Sequence, residues 1–352
     1  MIDLDDAGAL RAADPSSMLG AASALGADAA ASYASGSQTA VARLHDVASI
    51  VVCGMGGSAV AGDVLKHAFR DRLRVPVEVN RSHGLPAYAG PGTLVVVSSY
   101  SGETSETLSA FEDALARGCT VLAITSGGTL AARCGELELP VARVPGGGQP
   151  PAALGHLAFA MLGALETAGV LPSLSAEVKA TVAAFGSVVA DLGPDVPTAA
   201  NRAKEIAAWI GDRIPVVWGA DGIGSLAAMR WKTQLNENGK VPAWNASMSE
   251  LDHNEVVGWV EPYGREHVVI VLRHGDEHDE IVARFRLSAD IVRAAGAEVR
   301  EVGVTDGPPL SRLFSLIAIG DHASCYVGLR RGMDPTPVKA IAGLKAALAE
   351  RV

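Results

Sequence analysis

Twice in this chain a short, β-branched apolar run ends in glycine and passes at once into a helix-forming stretch. The first is Val47-Ala48-Ser49-Ile50-Val51-Val52-Cys53-Gly54-Met55-Gly56-Gly57-Ser58. The second is Ile214-Pro215-Val216-Val217-Trp218-Gly219-Ala220, with a helix expected across 225–235. A continuous apolar run, rather than an alternating one, is what a strand covered on both faces requires, and such strands belong to parallel sheets packed between helices. Similar runs at 75–79, 94–98 and 121–124, then at 267–272 and 298–302, alternate with helical stretches such as 59–69, 103–117, 152–168 and 310–327. Residues 174–208 read as helical. Two successive strand–helix alternations predict an α/β chain of two doubly wound units, each with a parallel sheet flanked by helices. The expected division is an N-terminal helical segment at 1–45, with Ser16, Ser32 and Ser37 as candidate caps, and a first unit at 46–170. A helical linker at 171–195, a second unit at 196–330 and a C-terminal helix at 331–352 complete it, with Pro337 in the first turn of that helix.

Composition narrows the function classes. A chain of 352 residues that is 49% hydrophobic and 19% charged is well outside the disordered range and suits two domains of about 150 residues each. The formal net charge is −10, and no basic run is interleaved with aromatics, which argues against a nucleic-acid surface. No apolar run reaches the ~18 residues of a membrane span. The four cysteines, Cys53, Cys119, Cys134 and Cys325, have no metal-ligand spacing and read as buried or half-buried thiols of a reducing compartment. The start, Met1-Ile2-Asp3-Leu4-Asp5-Asp6, is acidic where a secretory signal would be basic, so the expectation is a soluble cytoplasmic protein. A negative global field repels phosphorylated ligands. Any such ligand needs local positive potential from helix N-termini and a few lysines.

Two segments of the first unit supply such a place. Gly54-Met55-Gly56-Gly57-Ser58 follows a strand and opens a helix, where glycine lets the backbone approach a ligand and the helix N-terminus favours an anion. A dinucleotide fingerprint is formally present, but the next strand ends in Val79-Asn80 without the acidic residue that would take a ribose hydroxyl. No Gly-Lys-Ser/Thr of a Walker loop occurs. The stronger signal is Ser98-Ser99-Tyr100-Ser101-Gly102-Glu103-Thr104-Ser105-Glu106-Thr107, directly after Val95-Val96-Val97. A helix needs one capping hydroxyl, Ser101 or Thr104 here, and this segment offers five or more. Hydroxyls and backbone N–H groups solvate a phosphate without a charged side chain. Thr125-Ser126-Gly127-Gly128 ends another strand and is placed to close the same pocket.

In the second unit, Trp231-Lys232-Thr233-Gln234-Leu235-Asn236-Glu237-Asn238-Gly239-Lys240 and Ser249-Glu250-Leu251-Asp252-His253-Asn254-Glu255 concentrate amides, carboxylates, lysines and an imidazole. A Glu and a His in apolar surroundings are the ingredients for moving a proton between adjacent carbons of a sugar. A solvated Glu237 paired with Lys240 is the plain alternative, but two asparagines flank the glutamate where they disfavour helix. Asp252, Asn254 and Glu255 are expected to fix the tautomer of His253 and raise its pKa. His274 and His278 have i,i+4 spacing, yet Gly275 and the acidic run 276–280 read as a solvated loop without a His-Glu-x-x-His metal motif.

These residues carry a family resemblance. Gly54-Met55-Gly56-Gly57-Ser58 and Ser99-Tyr100-Ser101-Gly102-Glu103-Thr104 resemble the signatures of sugar isomerase (SIS) domains. Lys232-Thr233-Gln234-Leu235-Asn236-Glu237-Asn238, Glu250-Leu251-Asp252-His253-Asn254-Glu255 and Asp334-Pro335-Thr336-Pro337 resemble the bifunctional phosphoglucose/phosphomannose isomerases, over about residues 45–350. The resemblance implies tandem SIS domains, a homodimer, no metal and no cofactor. It also implies interconversion of glucose 6-phosphate or mannose 6-phosphate with fructose 6-phosphate through a cis-enediol. It assigns the phosphate to Ser58, Ser99, Ser101 and Thr104 with Gly56 and Gly57. Glu237 becomes the base between C2 and C1, and His253, reaching in from the partner subunit, assists ring opening. Lys345 completes the pocket, with Thr125, Ser126 and Lys339 as further candidates.

Two departures stand out. Pro151 occupies the place of a family arginine that is thought to stabilise the enediolate, leaving Arg143, Lys232, Lys339 or Lys345 to supply that charge or the enzyme slow. Glu103 replaces a common asparagine and puts an extra carboxylate near the expected phosphate. A non-catalytic phosphosugar-binding module is the alternative reading. Such a module normally comes with a partner domain, and none is present. Deaminating aminosugar isomerases are a third option, without a feature that selects an amino group.

Overall fold

The computed structural model describes residues 1–148 and 153–349. Helices α1 (Ala7–Ala13) and α2 (Met18–Ser37) come first. Their caps are carboxylates rather than the expected serines. Asp6 accepts from the Ala9 N–H, and Asp14 accepts from the Met18 and Leu19 N–H groups at 2.8 and 3.0 Å. Ser32 instead lies buried inside α2 against His156 Nδ1 at 2.8 Å.

The first sheet contains β1 (Ser49–Cys53), β2 (Val77–Asn80), β3 (Thr93–Ser98), β4 (Thr120–Thr125) and β5 (Val141–Arg143) in the order β2-β1-β3-β4-β5, every pair parallel. Helices α3 (Gly57–Ala68), α4 (Ser105–Ala116) and α5 (Gly128–Glu136) follow β1, β3 and β4. Next come α6 (Leu154–Thr167), α7 (Ser175–Val189) and α8 (Arg202–Ile210). The helical reading of 174–208 therefore breaks in the middle, where Gly193, Pro194 and Pro197 cannot continue a helix.

The second sheet contains β6 (Ile214–Ala220), β7 (Trp244–Met248), β8 (His267–Arg273) and β9 (Glu298–Gly303) in the order β7-β6-β8-β9, again all parallel. Helix α9 (Ile223–Glu237) joins β6 to β7, and α10 (Asp279–Ala294) joins β8 to β9. Helices α11 (Pro309–Arg330) and α12 (Lys339–Ala349) end the chain. The expected two-sheet α/β architecture is present, with two strands the sequence reading lacked. Both are edge strands, and neither β5, with three residues, nor the polar β7 shows the apolar run of a central strand. Helix α10 was lacking too, because it buries only Phe285, Ser288, Ala289 and Val292.

Strand alternation sorts the core. Ile50, Val52, Leu94 and Val96 of the first sheet join Val217, Ile270 and Leu272 of the second in one continuous apolar cluster with α2, α6, α9 and α11. Their neighbours point outward: Val51, Cys53, Val95 and Val97 under α4 and α5, and Val216, Trp218, Val269 and Val271 under α10. One helical layer therefore lies between two sheets, and α11 is its axis, buried without a break from Leu310 to Leu329. All four cysteines are free thiols, three of them buried. Among the described residues, no helix is long and apolar enough to cross a membrane.

Close approach of α9 to α11 depends on small residues spaced four apart on α11. A Cβ on Gly320 would run into the Trp231 indole, and one on Gly328 would lie 2.5 Å from the Asn238 carbonyl oxygen. Trp231, 1% exposed, donates its indole N–H to the Leu316 carbonyl at 2.8 Å.

Candidate active site

In a doubly wound sheet, ligands bind beyond the carboxyl ends of the strands where the strand order reverses. In the first sheet that point lies between β1 and β3, so the loops after them, 54–57 and 99–104, face each other there. A Cβ on Gly54 would be 2.9 Å from the Ser98 carbonyl oxygen, which is why the two strand ends can meet. Ser58 Oγ accepts the Tyr100 N–H at 3.3 Å and ties the loops together. Ser99, 1% exposed, accepts the Gly102 N–H at 3.1 Å and donates to Thr104 Oγ1 at 3.2 Å, while Ser101 is exposed. Gly56 and Thr104 are the N-caps of α3 and α4, and neither makes a side-chain capping bond. Two helix N-termini uncapped by side chains therefore converge on one cluster of hydroxyls. Dipoles and hydroxyls arranged in this way are suited to an anion.

Glu103 is held by hydrogen bonds at the start of α5. Its carboxylate accepts the Thr129 N–H at 2.7 Å and the Thr129 hydroxyl at 2.8 Å, and so caps α5. Gly102, at φ 72°, packs against the Gly127 carbonyl so closely that a Cβ would collide with it. Thr125 Oγ1 donates to the Gly127 carbonyl, and Ser126 Oγ donates to the Tyr100 carbonyl. The Ser126 hydroxyl thereby ties this turn to the 99–104 loop, while that of Thr125 shapes the turn itself.

The matching corner of the second sheet, between β6 and β8, is closed. His274 is 7% exposed rather than solvated, and its ring packs 3.0 Å from where a Cβ on Gly224 in the first turn of α9 would lie. Glu277 accepts the His274 and Gly275 N–H groups at 2.6 and 2.9 Å. A side chain and a carboxylate fill the place where the first sheet offers hydroxyls.

Glu237 is the last residue of α9 and lines a cavity of about 560 Å³ with Asn236, Lys240, Asp334 and Lys339. Burial holds its carboxyl above the ordinary glutamate range, while Arg230, Lys240 and Lys232 pull it down and Asp321 adds to the rise. Lys240 does not pair with that carboxylate. Its ammonium donates to the Glu237 backbone carbonyl and to the Pro335 carbonyl, so it ties the end of α9 to the C-terminal segment. Arg230, 2% exposed, was absent from the sequence reading. It donates Nε and Nη2 to the two carboxylate oxygens of Asp321 at 3.1 and 2.8 Å. Lys339 shares the Glu237 cavity, the Lys345 side chain lies outside the described residues, and so does Pro151.

His253 is exposed in the short turn Glu250–His253 that follows β7. None of the neighbours expected to orient it does so. Asp252 accepts from Arg284 and Ser288 at 3.0 and 2.7 Å, and Asn254 donates to Glu250 at 2.8 Å. Glu255 accepts the indole N–H groups of Trp218 and Trp259 at 2.9 and 3.3 Å. Within one chain, Glu237 and His253 are far apart. Helix α9 leaves the carboxyl end of β6 and runs back to Glu237, about 22 Å at 1.5 Å per residue, and β7 then returns to the carboxyl edge before His253. The Arg70–Asp221 ion pair at 3.3 Å joins the end of α3 to the start of α9. Followed away from that junction, the two helices lead to the hydroxyl loops on one and to Glu237 on the other. Among the described residues, no cluster of three or more His, Cys, Asp or Glu is disposed to hold a metal ion.

Both halves of the chain have known relatives. Residues 43–167 match the SIS domain family, and residues 199–348 match the family described as bacterial phospho-glucose isomerase C-terminal SIS domain. The chain is 36% identical over 313 residues to the bifunctional phosphoglucose/phosphomannose isomerase of Caldicellulosiruptor bescii, covering 88% of this chain and 91% of that one. It is 32% identical to the protein of the same name from Thermoplasma acidophilum, covering 86% and 90% of the two chains. The fold is shared with a hypothetical protein from Thermus thermophilus, at a TM-score of 0.74 with 17% identity over 98% of this chain and 94% of that one.

Proposed function

Because the chain belongs to the bifunctional phosphoglucose/phosphomannose isomerases and is therefore an aldose–ketose isomerase of hexose phosphates, we propose that Glu237 carries its proton transfer. The observation behind this is a carboxylate at a helix end, held above its ordinary pKa by burial, in a cavity shared with Lys339. A base whose pKa is raised toward the working pH both takes and returns a proton readily. The Glu237 carboxylate removes the proton from C2 of the open-chain aldose 6-phosphate. The C2–H electron pair forms the C1–C2 double bond of a cis-enediol as O1 gains a proton. Return of the proton from Glu237 to C1 uses the electron pair of the C1–C2 double bond. O2 gives up its proton to solvent as the C2=O bond forms, which gives fructose 6-phosphate; the proton that O1 gained also came from solvent. Glucose and mannose differ only at C2, so one enediol serves both.

The phosphate sits in the first domain, on Ser58, Ser99, Ser101 and Thr104 and on the N–H groups that open α3 and α4. His253 exchanges a proton with the ring oxygen during ring opening. Its distance from Glu237 in one chain supports its delivery by the partner of a homodimer. Lys345 and Lys339 approach the sugar from α12, and the enzyme works in the cytoplasm without metal or cofactor. The domain division at 46–170 and 196–330 is supported by the two separate sheets. The test is Glu237→Gln. Turnover should fall by roughly 10²–10⁴, while calorimetric binding of fructose 6-phosphate persists. Unchanged turnover in the purified variant refutes the assignment.

A further inference from the structure

Along the interface between α9 and α11, beyond the Trp231–Leu316 hydrogen bond, runs a strip of buried polar side chains that leads toward Glu237. Arg230 pairs with Asp321 through two hydrogen bonds. Gln234, one turn on, accepts from Asn238 Nδ2 at 3.0 Å, and the same amide donates to Ser324 Oγ at 3.1 Å. Ser324 closes the strip by donating to the Asp321 carbonyl at 2.7 Å. Arg230, Gln234, Asn238, Asp321 and Ser324 are all at most 4% exposed. A buried ion pair of this kind contributes little to stability compared with well-packed apolar side chains, so its presence calls for another role. Residues 230 and 237 are seven apart on α9, two turns along the same face. The strip thus fixes both where the last turn of α9 lies and what charge its carboxylate faces.

We propose that Arg230 and Asp321 are positioning residues for the isomerisation, holding the end of α9 and setting the opposed charges under which Glu237 gains and loses its proton. This rests on Glu237 being the base. The other charged groups facing Glu237 are Lys232 on α9, Lys240 beyond it, and Asp334 and Lys339 of the C-terminal segment that lines the cavity. Of the two proposed positioning residues, the cation lowers the Glu237 pKa and the anion raises it. The pair therefore carries a signature that a packing role lacks: removing each partner moves the acidic limb of activity in the opposite direction.

The experiment measures kcat against pH at saturating fructose 6-phosphate, with the full-length protein. Arg230→Met should shift the acidic limb to higher pH and Asp321→Asn to lower pH, with KM within about threefold of wild type because the phosphate is held elsewhere. Breaking a buried pair risks unfolding, so a third variant, R230M/D321L, replaces both charges with apolar side chains, an exchange that is often neutral for stability. It should melt near wild type and retain KM, yet lose at least tenfold in kcat. Full kcat in the folded double variant overturns the proposal. So do limbs that stay fixed or move together in the single variants. Glu237→Gln in parallel keeps the two readings apart, since its retained turnover would remove the base itself, whereas its inactivity beside a fully active double variant removes only the positioning role.

Discussion

Glu103 decides between two pictures of the proposed anion site, and its removal separates them. If it faces the phosphate, Glu103→Ala relieves a repulsion. A carboxylate ~8 Å from a phosphate dianion at an effective dielectric constant of ~40 costs about 2 kcal/mol, so its loss would tighten KM for fructose 6-phosphate roughly 30-fold at low salt. The structure gives the other picture, a carboxylate that accepts two hydrogen bonds from Thr129 at the start of α5. Losing a capping side chain costs ~1 kcal/mol, and losing a negative charge from a helix N-terminus adds ~0.3–1 kcal/mol. The sum, about 1–2 kcal/mol, corresponds to a melting shift of roughly 2–8 °C for a domain of this size. The cap also holds Gly128 under the 99–104 loop, so substrate binding should weaken slightly rather than tighten. Scanning calorimetry and initial rates at 20 and 200 mM salt are sufficient, with Glu103→Gln, which keeps an acceptor, falling between. A tenfold or greater fall in KM for Glu103→Ala, without a lower melting temperature, would refute the capping role.

Other outcomes follow from the same geometry. Since burial raises the Glu237 pKa above 4.5 and the base must be ionised, kcat should fall as pH drops through a midpoint above that value. A limb at or below it would place Glu237 in solvent. The same raised pKa means that this group favours the folded state at pH below the unfolded glutamate value and loses that contribution as pH rises through the folded one, so Glu237→Gln should melt higher than wild type at pH 7. Co-expressed Glu237→Gln and His253→Ala chains should recover about a quarter of wild-type turnover, because half of randomly paired dimers carry one intact site; no recovery would put both residues in one chain's site. Gly102→Ala forces a Cβ into the Gly127 carbonyl at φ 72°, and should raise KM about tenfold while kcat changes far less.

The parts of the fold that the sequence announced are those whose physics is local. A central parallel strand is buried on both faces, so β1, β3, β6 and β8 appear as unbroken apolar runs, and the glycines that follow mark where strand ends approach one another. Edge strands carry no such mark. Trp244-Asn245-Ala246-Ser247-Met248 pairs with β6 on one side only, and its polar residues are compatible with loop as well as strand. Helix caps were misplaced for a related reason. Asp14 outranks Ser16 at the start of α2 because a carboxylate accepts two N–H groups at once, and the sequence does not show which side chain reaches back.

Within the site, legibility followed the range of the interactions. Hydroxyls clustered after β3 are a contiguous signal, and Glu237 stands out between two asparagines at a helix end. What Glu103 touches is 26 residues away, and what Arg230 touches is 91 residues away, so neither role could be read from spacing. A trace of the second did exist. Gly320, Ser324 and Gly328 recur every four residues on one face of α11, a spacing that lets a neighbouring helix come close enough for buried polar groups to pair. His253 shows the opposite limit. Its polar neighbours are all committed elsewhere, and the length of α9 separates it from Glu237, so the sequence cluster around it describes how its turn is built rather than what its ring touches. If it acts in the proposed reaction, the distance to Glu237 favours a site shared between two subunits, which is why subunit mixing, rather than a single substitution, is the decisive measurement.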